Sequence, residues 1–364
     1  MRSPRQWAQG RRRSRGVALV IVLLTLFALG AMAAVFAYSM KVETRLAMNT
    51  SNATELEWLG RSGVEYAKWL LVQQDRVSSE RGFHALNQFW AGGPGPIESA
   101  DNPFADLSLQ NVPVGEGFMT VHIEDTERLL NINREARNLP LLDLALSRAG
   151  ADATDATLIT GALTDWLDRD DFPQSANGAE SEYYRGMDPP YVAKNGPIDD
   201  IRELLLIRGV TPEIFWGPDH RTTELGSGRP ESVGSDDPSS ATPVGLVSIF
   251  GALSNGRVNI NTTRREVIAL LLGGDESLAG EVVKIRAGPD GIDGTEDDQP
   301  ARGSGEIPRL LGPAGPGFQD RFTVQSSTFE VHVQASLGPA KRRFTALIRR
   351  AGARGYETLY FRQD

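Results

Sequence analysis

The longest apolar segment of the chain lies close to its N-terminus. Residues 17–40 contain no charged side chain, and the residues before them include six arginines (positions 2, 5, 11, 12, 13 and 15) and no acid. A helix of 24 residues is about 36 Å long, whereas the hydrocarbon core of a bilayer is about 30 Å thick. The pattern therefore predicts a membrane-spanning helix, with the arginine-rich side in the cytoplasm and the rest of the chain exported.

Apolar and small residues continue at helical spacing beyond this span. They recur at intervals of three, four and seven residues, at Leu46, Ala53, Leu56, Gly63, Ala67 and Leu70. Polar residues lie largely off this stripe, at Asn49, Glu55, Glu57, Arg61 and Lys68. This periodicity is typical of an amphipathic helix. We predict one helix over residues 17–74, with its first half in lipid and its second half packed on a domain. A simple single-pass anchor is the alternative.

The pattern of the remaining chain changes from strand to helix and back to strand. Residues 117–125 alternate as a strand, and residues 321–337 and 341–350 alternate around a hairpin at Gly338 and Pro339. Between them, helical patterns occupy residues 140–168, 199–207 and 262–272, and loops are predicted at residues 91–96, 168–197, 224–243 and 288–305. An α+β domain interrupted by a helical insertion explains this order, although two consecutive domains remain possible. The predicted limits are residues 41–133 and 306–364 for the sheet domain and 134–305 for the insertion.

Charge and composition exclude several classes of function. The chain has a net charge of -9 and no cysteine, so nucleic acid is disfavoured as a partner and disulfides and thiol chemistry are excluded. Its four histidines, His84, His122, His220 and His332, are scattered, and no motif of a hydrolase, nucleotide-binding loop or metalloprotease accompanies them. The sequence predicts a protein that is not an enzyme.

Two acidic segments could bind a cation. The first contains Asp165, Asp168, Asp170 and Asp171. A capped helix end followed by a solvated loop is the preferred interpretation of this segment, over a cation site or an acid–base pair.

The second acidic segment is residues 288–298. It offers hard oxygen ligands at Asp290, Asp293, Glu296, Asp297 and Asp298, with Gly291 and Gly294 for tight turns. Ca²⁺ takes six to eight such oxygens, but the spacing is not that of an EF-hand. A structural calcium site and a plain acidic surface loop are both retained.

Several motifs resemble one protein family. The Gly16–Val17 junction, followed by the apolar residues Ala18 to Val22, resembles the prepilin-type leader. Residues 165–215, from Asp-Trp-Leu-Asp onward, resemble the signature of the type II secretion minor pseudopilin K family. The motifs Leu-Asn-Ile-Asn at residues 130–133 and Val-Asn-Ile-Asn-Thr at residues 258–262 are similar to that family as well.

The resemblance implies a fold and a location. The fold would be a pilin-like core, a long N-terminal helix on a small antiparallel sheet, with a large inserted α-helical domain. Residues 1–16 would be a leader that the prepilin peptidase removes by cleavage between Gly16 and Val17, followed by N-methylation of Val17. The chain would be a single-pass protein of the bacterial inner membrane, with its C-terminal domain in the periplasm.

The resemblance also implies a non-catalytic function and a set of partners. The protein would nucleate or cap a secretion pseudopilus, at its tip, for protein export across the outer membrane. Its partners would be minor pseudopilins I, J and H, major pseudopilin G and the inner-membrane assembly platform. No cofactor would be required apart from the candidate structural Ca²⁺.

One departure from ordinary pilins concerns Ile21. Most pilins carry a glutamate at this position of the mature chain, and that glutamate is thought to pair with the N-terminal amine of the neighbour ahead. An unpaired carboxylate in lipid is costly, so Ile21 is the residue expected in a subunit with no neighbour ahead. The alternative is that Ile21 merely continues the apolar run. Two alternatives remain for the whole chain: a minor pilin that primes a type IV pilus, and a membrane-anchored DNA receptor with helix-hairpin-helix units.

Overall fold

A helix of 60 residues, α1 (Arg15–Gln74), forms the N-terminal part of the protein. The computed structural model describes residues 15–95, 103–218, 244–312, 315–352 and 355–364; the first 14 residues of the predicted leader and the predicted loop at 224–243 lie outside these ranges. One segment of α1, Val17–Thr44, is long and apolar enough to cross a membrane, and none of it is buried within the chain.

The second half of α1 packs on a β-sheet. Leu56, Ala67 and Leu70 are buried, and two glycines allow a close approach. A Cβ atom on Gly63 would lie 2.5 Å from the side chain of Val333, and one on Gly60 would lie 2.5 Å from that of Phe344. Such distances are far below van der Waals contact, so small residues are required where the helix crosses the sheet. The prediction of one continuous helix with a domain-packed second half is confirmed.

The sheet has five antiparallel strands in the order β1-β2-β7-β8-β9. They are β1 (Val112–Val114), β2 (Gly117–Asp125), β7 (Thr328–Leu337), β8 (Ala340–Arg350) and β9 (Tyr356–Gln363). The predicted hairpin is present, since Leu337 pairs with Ala340. Strand β9 was not predicted from the sequence, and its burial does not alternate.

An α-rich unit connects β2 to β7. Its α-helices are α2 (Ile132–Glu135), α3 (Leu139–Arg148), α4 (Ala153–Leu167), α5 (Ser181–Arg185), α6 (Pro212–Trp216), α7 (Arg265–Leu271), α8 (Glu276–Arg286), α9 (Ile307–Leu311) and α10 (Gly315–Phe318). Short 3₁₀ helices lie at Phe89–Ala91, Thr126–Arg128, Ile201–Leu206, Leu246–Ser248, Ser304–Glu306 and Gln319–Arg321. Two short parallel pairs join β3 (Leu130–Asn131) to β4 (Phe250–Gly251) and β5 (Val258–Asn259) to β6 (Phe322–Thr323).

The apolar interior is divided into two cores. One contains α1 and the inner face of the sheet, and the other contains the α-rich unit. The second core also includes Phe83, Phe322 and Val324, so its packing extends beyond the predicted limits of 134–305. The α+β fold with a helical insertion is as predicted.

A buried polar cluster joins the two cores. The Oδ2 atom of Asp125, at the end of β2, accepts hydrogen bonds from Asn259 Nδ2 (3.0 Å), Thr262 Oγ1 (2.5 Å) and Ser326 Oγ (2.6 Å). Burial raises the pKa of Asp125. The Asn-Ile-Asn-Thr motif therefore serves as a structural link between the insertion and the sheet.

Candidate functional sites

Three carboxylates converge at the C-terminal end of α4, and we call Asp165, Asp168 and Glu180 the acidic pocket. Helix α4 begins at an N-cap, Asp152, whose side chain accepts from the N–H groups of Thr154 and Asp155. Asp165 lies in the last turn of α4, Asp168 is its C-cap, and Glu180 is the N-cap of α5. One carboxylate oxygen from each of the three lies within 4.8 Å of the others.

The acidic pocket is buried and incompletely hydrogen-bonded. Asp165 is 0% exposed and Glu180 is 3% exposed. Asp165 Oδ1 accepts from the backbone N–H of Gln174 (3.1 Å), but Asp165 Oδ2 and both carboxylate oxygens of Glu180 are buried without a protein hydrogen-bond partner. A Cβ atom on Gly178 would lie 2.1 Å from Asp165 Oδ2, so this glycine leaves the room that the carboxylate occupies.

The electrostatics of the pocket favour a bound positive charge. Burial, together with the charges of Asp165 and Asp168, raises the pKa of Glu180 to about 7. Burial also raises the pKa of Asp165. Buried carboxylates this close together must be neutralised either by protons or by a cation. Because the donors are hard oxygens with free lone pairs, the residues fit Ca²⁺.

The structure agrees with the interpretation of this segment as a helix end followed by a solvated loop, since Asp165 and Asp168 lie at the end of α4 and Asp170 and Asp171 are exposed. The sequence did not indicate that Asp165 is buried. Glu180 was not identified from the sequence. It lies 15 residues after Asp165 and outside the bunched aspartates, and only folding of the intervening loop brings it into the pocket. The one sequence feature that could have indicated this contact is Gly178, two residues before Glu180. A glycine allows the backbone to approach another group closely.

The second acidic segment, residues 288–298, is the acidic loop. The guanidinium of Arg286 forms a bidentate pair with Asp293 and also donates to the carbonyl oxygens of Ile260 and Thr263, each at 2.8 Å. Arg286 is 3% exposed. A guanidinium therefore already supplies the positive charge beneath this loop.

The other carboxylates of the acidic loop hold its turns. Asp297 accepts from the backbone N–H of Asp290 (2.9 Å) and from Thr295 Oγ1 (2.8 Å), and Asp298 accepts from the N–H of Gly294 (2.8 Å). Glu296 is exposed. Calcium binding by Asp290, Asp293, Glu296, Asp297 and Asp298 stays a prediction, and the hydrogen-bonding pattern favours the acidic pocket as the cation site.

The residues of the predicted processing site lie at the start of α1. Gly16 and Val17 are in its first turn, and Ile21 is 56% exposed within the apolar span. Cleavage at Gly16, methylation at Val17 and the role of Ile21 stay predictions. Of the histidines, His84 is buried and packs against Trp90 and Phe329, and His220 lies outside the described residues.

Large aromatic side chains are exposed on α1 beyond the apolar span. Trp58 is 66% exposed and Trp69 is 43% exposed. Eleven residues correspond to about three helical turns, so the two tryptophans lie on one face. Tyr66 stacks on Trp69 at 6.0 Å. Exposed tryptophans on one face are typical of a protein contact surface.

Comparison with known proteins finds relatives in both sequence and fold. Residues 126–216 match the family model described as type II secretion system (T2SS), protein K. Type II secretion system protein K of Aeromonas hydrophila is 24% identical over 363 residues, covering 92% of this chain and 93% of that protein. Its counterpart in Klebsiella pneumoniae is 29% identical over 218 residues, which cover 56% of this chain and 60% of that protein.

The fold is also similar to a solved structure, that of the GspK-GspI-GspJ complex from the enterotoxigenic Escherichia coli type 2 secretion system. The similarity has a TM-score of 0.61 at 18% identity and covers 87% of this chain and 99% of the matched chain. The sequence matches and the fold point in the same direction: this chain is similar to type II secretion system protein K in sequence, with the family model matching residues 126–216, and in fold.

Proposed function

We propose that this protein is a non-catalytic minor pseudopilin that sits at the tip of a type II secretion pseudopilus and nucleates or caps it. The observation that carries the proposal is the division of α1. Val17–Thr44 is apolar and unburied, whereas Leu56, Ala67 and Leu70 are buried on the sheet. A helix divided in this way can hold a subunit in the inner membrane and then enter a bundle of similar helices.

The tip position is supported by the bulk of the α-rich unit and by Ile21. The α-rich unit extends from β2 to β7 and adds a second hydrophobic core to the pilin-like one, which leaves little room for another subunit above it. An apolar residue at position 21 leaves no carboxylate to be paired in lipid. In this proposal the prepilin peptidase cuts between Gly16 and Val17, the arginine-rich leader is cytoplasmic and the folded domain is periplasmic.

The partners in this proposal are minor pseudopilins I and J, followed by H, the major pseudopilin G and the assembly platform of the inner membrane. The solved relative is a complex of GspK with GspI and GspJ. Trp58 and Trp69 supply the exposed apolar surface for a partner helix, since aromatic residues contribute disproportionately to interface energy.

We further propose that the acidic pocket holds a structural Ca²⁺ through Asp165, Asp168 and Glu180. The cation would neutralise the buried carboxylates and fix the loop that joins α4 to α5. Its role would be stability of the α-rich unit, not catalysis.

Co-purification with minor pseudopilins I and J tests the assembly proposal. We expect the native full-length chain to retain both partners and the Trp58→Ala/Trp69→Ala variant to lose at least tenfold in affinity. The matched control is Phe172→Ala, which removes an aromatic side chain that is 78% exposed in the α-rich unit and leaves binding unchanged. Failure of the native chain to retain either partner, or tight salt-sensitive binding to DNA, would overturn the proposal.

Sequencing the N-terminus of the mature protein tests the processing proposal. The expected first residue is Val17, carrying an N-methyl group. An intact Met1, or a cut at any other bond, contradicts the pilin-type assignment of the leader.

A further inference from the structure

The hairpin of β7 and β8 carries three consecutive basic residues close to its turn. Strand β8 begins with the sequence Ala-Lys-Arg-Arg-Phe over residues 340–344. Lys341 and Arg343 are exposed, and Arg342 is half-buried. We call Lys341, Arg342 and Arg343 the basic tip.

Two contacts with α1 show which end of the sheet the basic tip occupies. The side chain of Phe344 packs at Gly60, and Arg350 at the other end of β8 forms an ion pair with Asp75, directly after α1. From the first contact to the second, the strand advances by about 20 Å and the helix by about 22 Å. Strand β8 therefore runs beside α1 in the same direction, and the basic tip lies at the end of the sheet nearest the apolar span.

This direction places the basic tip close to the membrane boundary. Strand β8 begins about 13 Å before Phe344. Because strands cross the helix at an angle, its turn is level with about residues 51–55 of α1. The apolar span ends at Thr44, roughly 10–17 Å away along the helix axis. The headgroup layer extends about 5–8 Å beyond the hydrocarbon core, so the remaining gap is comparable to a Debye length of about 8 Å.

The cations of the basic tip are not neutralised by the described part of the chain. No carboxylate there lies within ion-pair distance of any of the three side chains. The side chain of the nearby Asp364 accepts a hydrogen bond from Thr345 (2.6 Å) and pairs with Arg362 (3.4 Å). The turn between β1 and β2, at the same end of the sheet, carries one exposed acid, Glu116. Positive charge is therefore in excess at this end.

An exposed aromatic ring lies in the same row of the sheet as the basic tip. Phe118 pairs with Ser336, which pairs with Lys341. Met119 is buried in the core that contains α1, so the preceding residue, Phe118, lies on the outer face, where it is 49% exposed. Basic side chains beside an exposed apolar ring are the combination with which peripheral segments bind anionic membrane surfaces.

We propose that the basic tip and Phe118 dock on the anionic phospholipid headgroups of the membrane that α1 spans. The inference rests on the proposed membrane anchor and adds a second contact with the same bilayer. A basic residue near an anionic surface strengthens binding about fivefold, and the attraction falls off within a Debye length. Docking would hold the folded domain against the bilayer before assembly, and so few contacts can be broken when α1 leaves the membrane.

Energy transfer in nanodiscs tests the proposal with the full-length chain. The chain has no cysteine, so Pro339→Cys places a single fluorophore at the turn beside the basic tip. Thr358→Cys, an exposed position towards the far end of the sheet, gives the control probe. We expect stronger transfer from position 339 to a headgroup-labelled lipid when the disc contains about 30% phosphatidylglycerol than when it contains phosphatidylcholine alone. Transfer from position 358 should not depend on this composition.

Three sets of substitutions identify the charge as the cause. Removing all three basic side chains should lower the docking equilibrium about a hundredfold and abolish the lipid dependence, as should about 1 M NaCl, where the Debye length is about 3 Å. Exchanging Lys and Arg within the tip should preserve docking, which separates charge from folding. The matched control removes three exposed basic residues of the α-rich unit and should behave like the native chain. The variants are Lys341→Ala/Arg342→Ala/Arg343→Ala, Lys341→Arg/Arg342→Lys/Arg343→Lys and Arg137→Ala/Arg202→Ala/Lys284→Ala.

Co-elution of the chain with the nanodiscs separates this inference from the anchor on which it rests. A chain that does not co-elute lacks a membrane anchor, and both proposals then fail. A chain that co-elutes but shows the same transfer from position 339 in both lipid compositions overturns docking alone. Docking is also overturned if the triple alanine variant keeps the native response.

Discussion

The acidic pocket and the acidic loop are both rich in carboxylates, but the protein neutralises and hydrogen-bonds those of the loop and leaves those of the pocket incompletely satisfied. In the loop, Asp293 is neutralised by Arg286, and Asp297 and Asp298 accept hydrogen bonds from backbone and hydroxyl groups. In the pocket, Asp165 and Glu180 are buried with free carboxylate oxygens. The difference shows that the density of acids in a sequence does not reveal how their charges are neutralised. A buried carboxylate that the protein leaves unsatisfied is the stronger reason to propose a cation site.

The largest expected change in stability comes from removing the guanidinium of Arg286, which neutralises Asp293 in the acidic loop. Arg286→Ala leaves Asp293 without its partner and two buried carbonyl groups without a donor. Breaking one side of a buried ion pair costs about 3–5 kcal/mol, so the free energy of unfolding in urea should fall by that amount whether or not calcium is present. The control is Lys284→Ala, an exposed residue of the same helix, for which the change should stay within about 0.5 kcal/mol.

If calcium fully restored the stability of Arg286→Ala, the loop would itself be a cation site and the contrast between the two segments would fail. The conservative variant Arg286→Lys keeps the charge but not the planar fork. It should therefore recover only part of the loss.

The second-largest expected effect is the stabilisation of the protein by calcium bound in the acidic pocket. Calcium at 100 times its Kd should stabilise the native chain by about 2.7 kcal/mol. Asp165→Asn should lose this gain, while in chelator it should be no less stable than the native chain, because a buried charge has been removed. Thermal unfolding with and without calcium measures both quantities. The matched control in the acidic loop is Glu296→Gln, which alters an exposed carboxylate and should keep the full calcium gain; loss of the gain in this variant would move the site to the loop.

The smallest effect is a dependence on pH. The pKa of Glu180 is raised to about 7 in the folded protein without a cation, so its protonated form stabilises the fold at low pH, and this contribution is lost as pH rises through about 7. Calcium must displace this proton. Its apparent affinity should therefore increase by up to about tenfold per pH unit, about 1.4 kcal/mol, between roughly pH 5 and 7 and then level off.

Calorimetric titration of calcium across this pH range measures the effect. Burial and the charge of Asp125 raise the pKa of Glu127 to about 8. Titration of Glu127 changes the stability of the calcium-free and calcium-bound forms equally, so it does not affect the calcium affinity. In Glu180→Gln the dependence should be markedly weaker. A calcium affinity that is independent of pH in the native chain would exclude Glu180 as a ligand.

The sequence predicted those features that depend on neighbours along the chain. The helix over residues 17–74 was predicted from its apolar spacing, and β2 and the hairpin at Gly338 from alternation and turn residues, because side-chain periodicity reflects local geometry. The last strand, β9, was missed because it lies at the edge of the sheet and its residues do not alternate in burial. The helix predicted to begin near Thr262 begins at Arg265, since Asn259, Asn261 and Thr262 are used in long-range hydrogen bonds.

By itself, the sequence determined that the chain has an apolar span long enough for a membrane, a helix continuous with it, and a helical insertion within a sheet domain. These properties follow from composition and local period. Only the tertiary structure decided which carboxylates are buried together, which guanidinium neutralises the other acidic segment, and that His122 faces His332 across two strands. Such pairings join residues between 7 and 210 positions apart, and no local pattern encodes a distance that is set by packing of the whole fold.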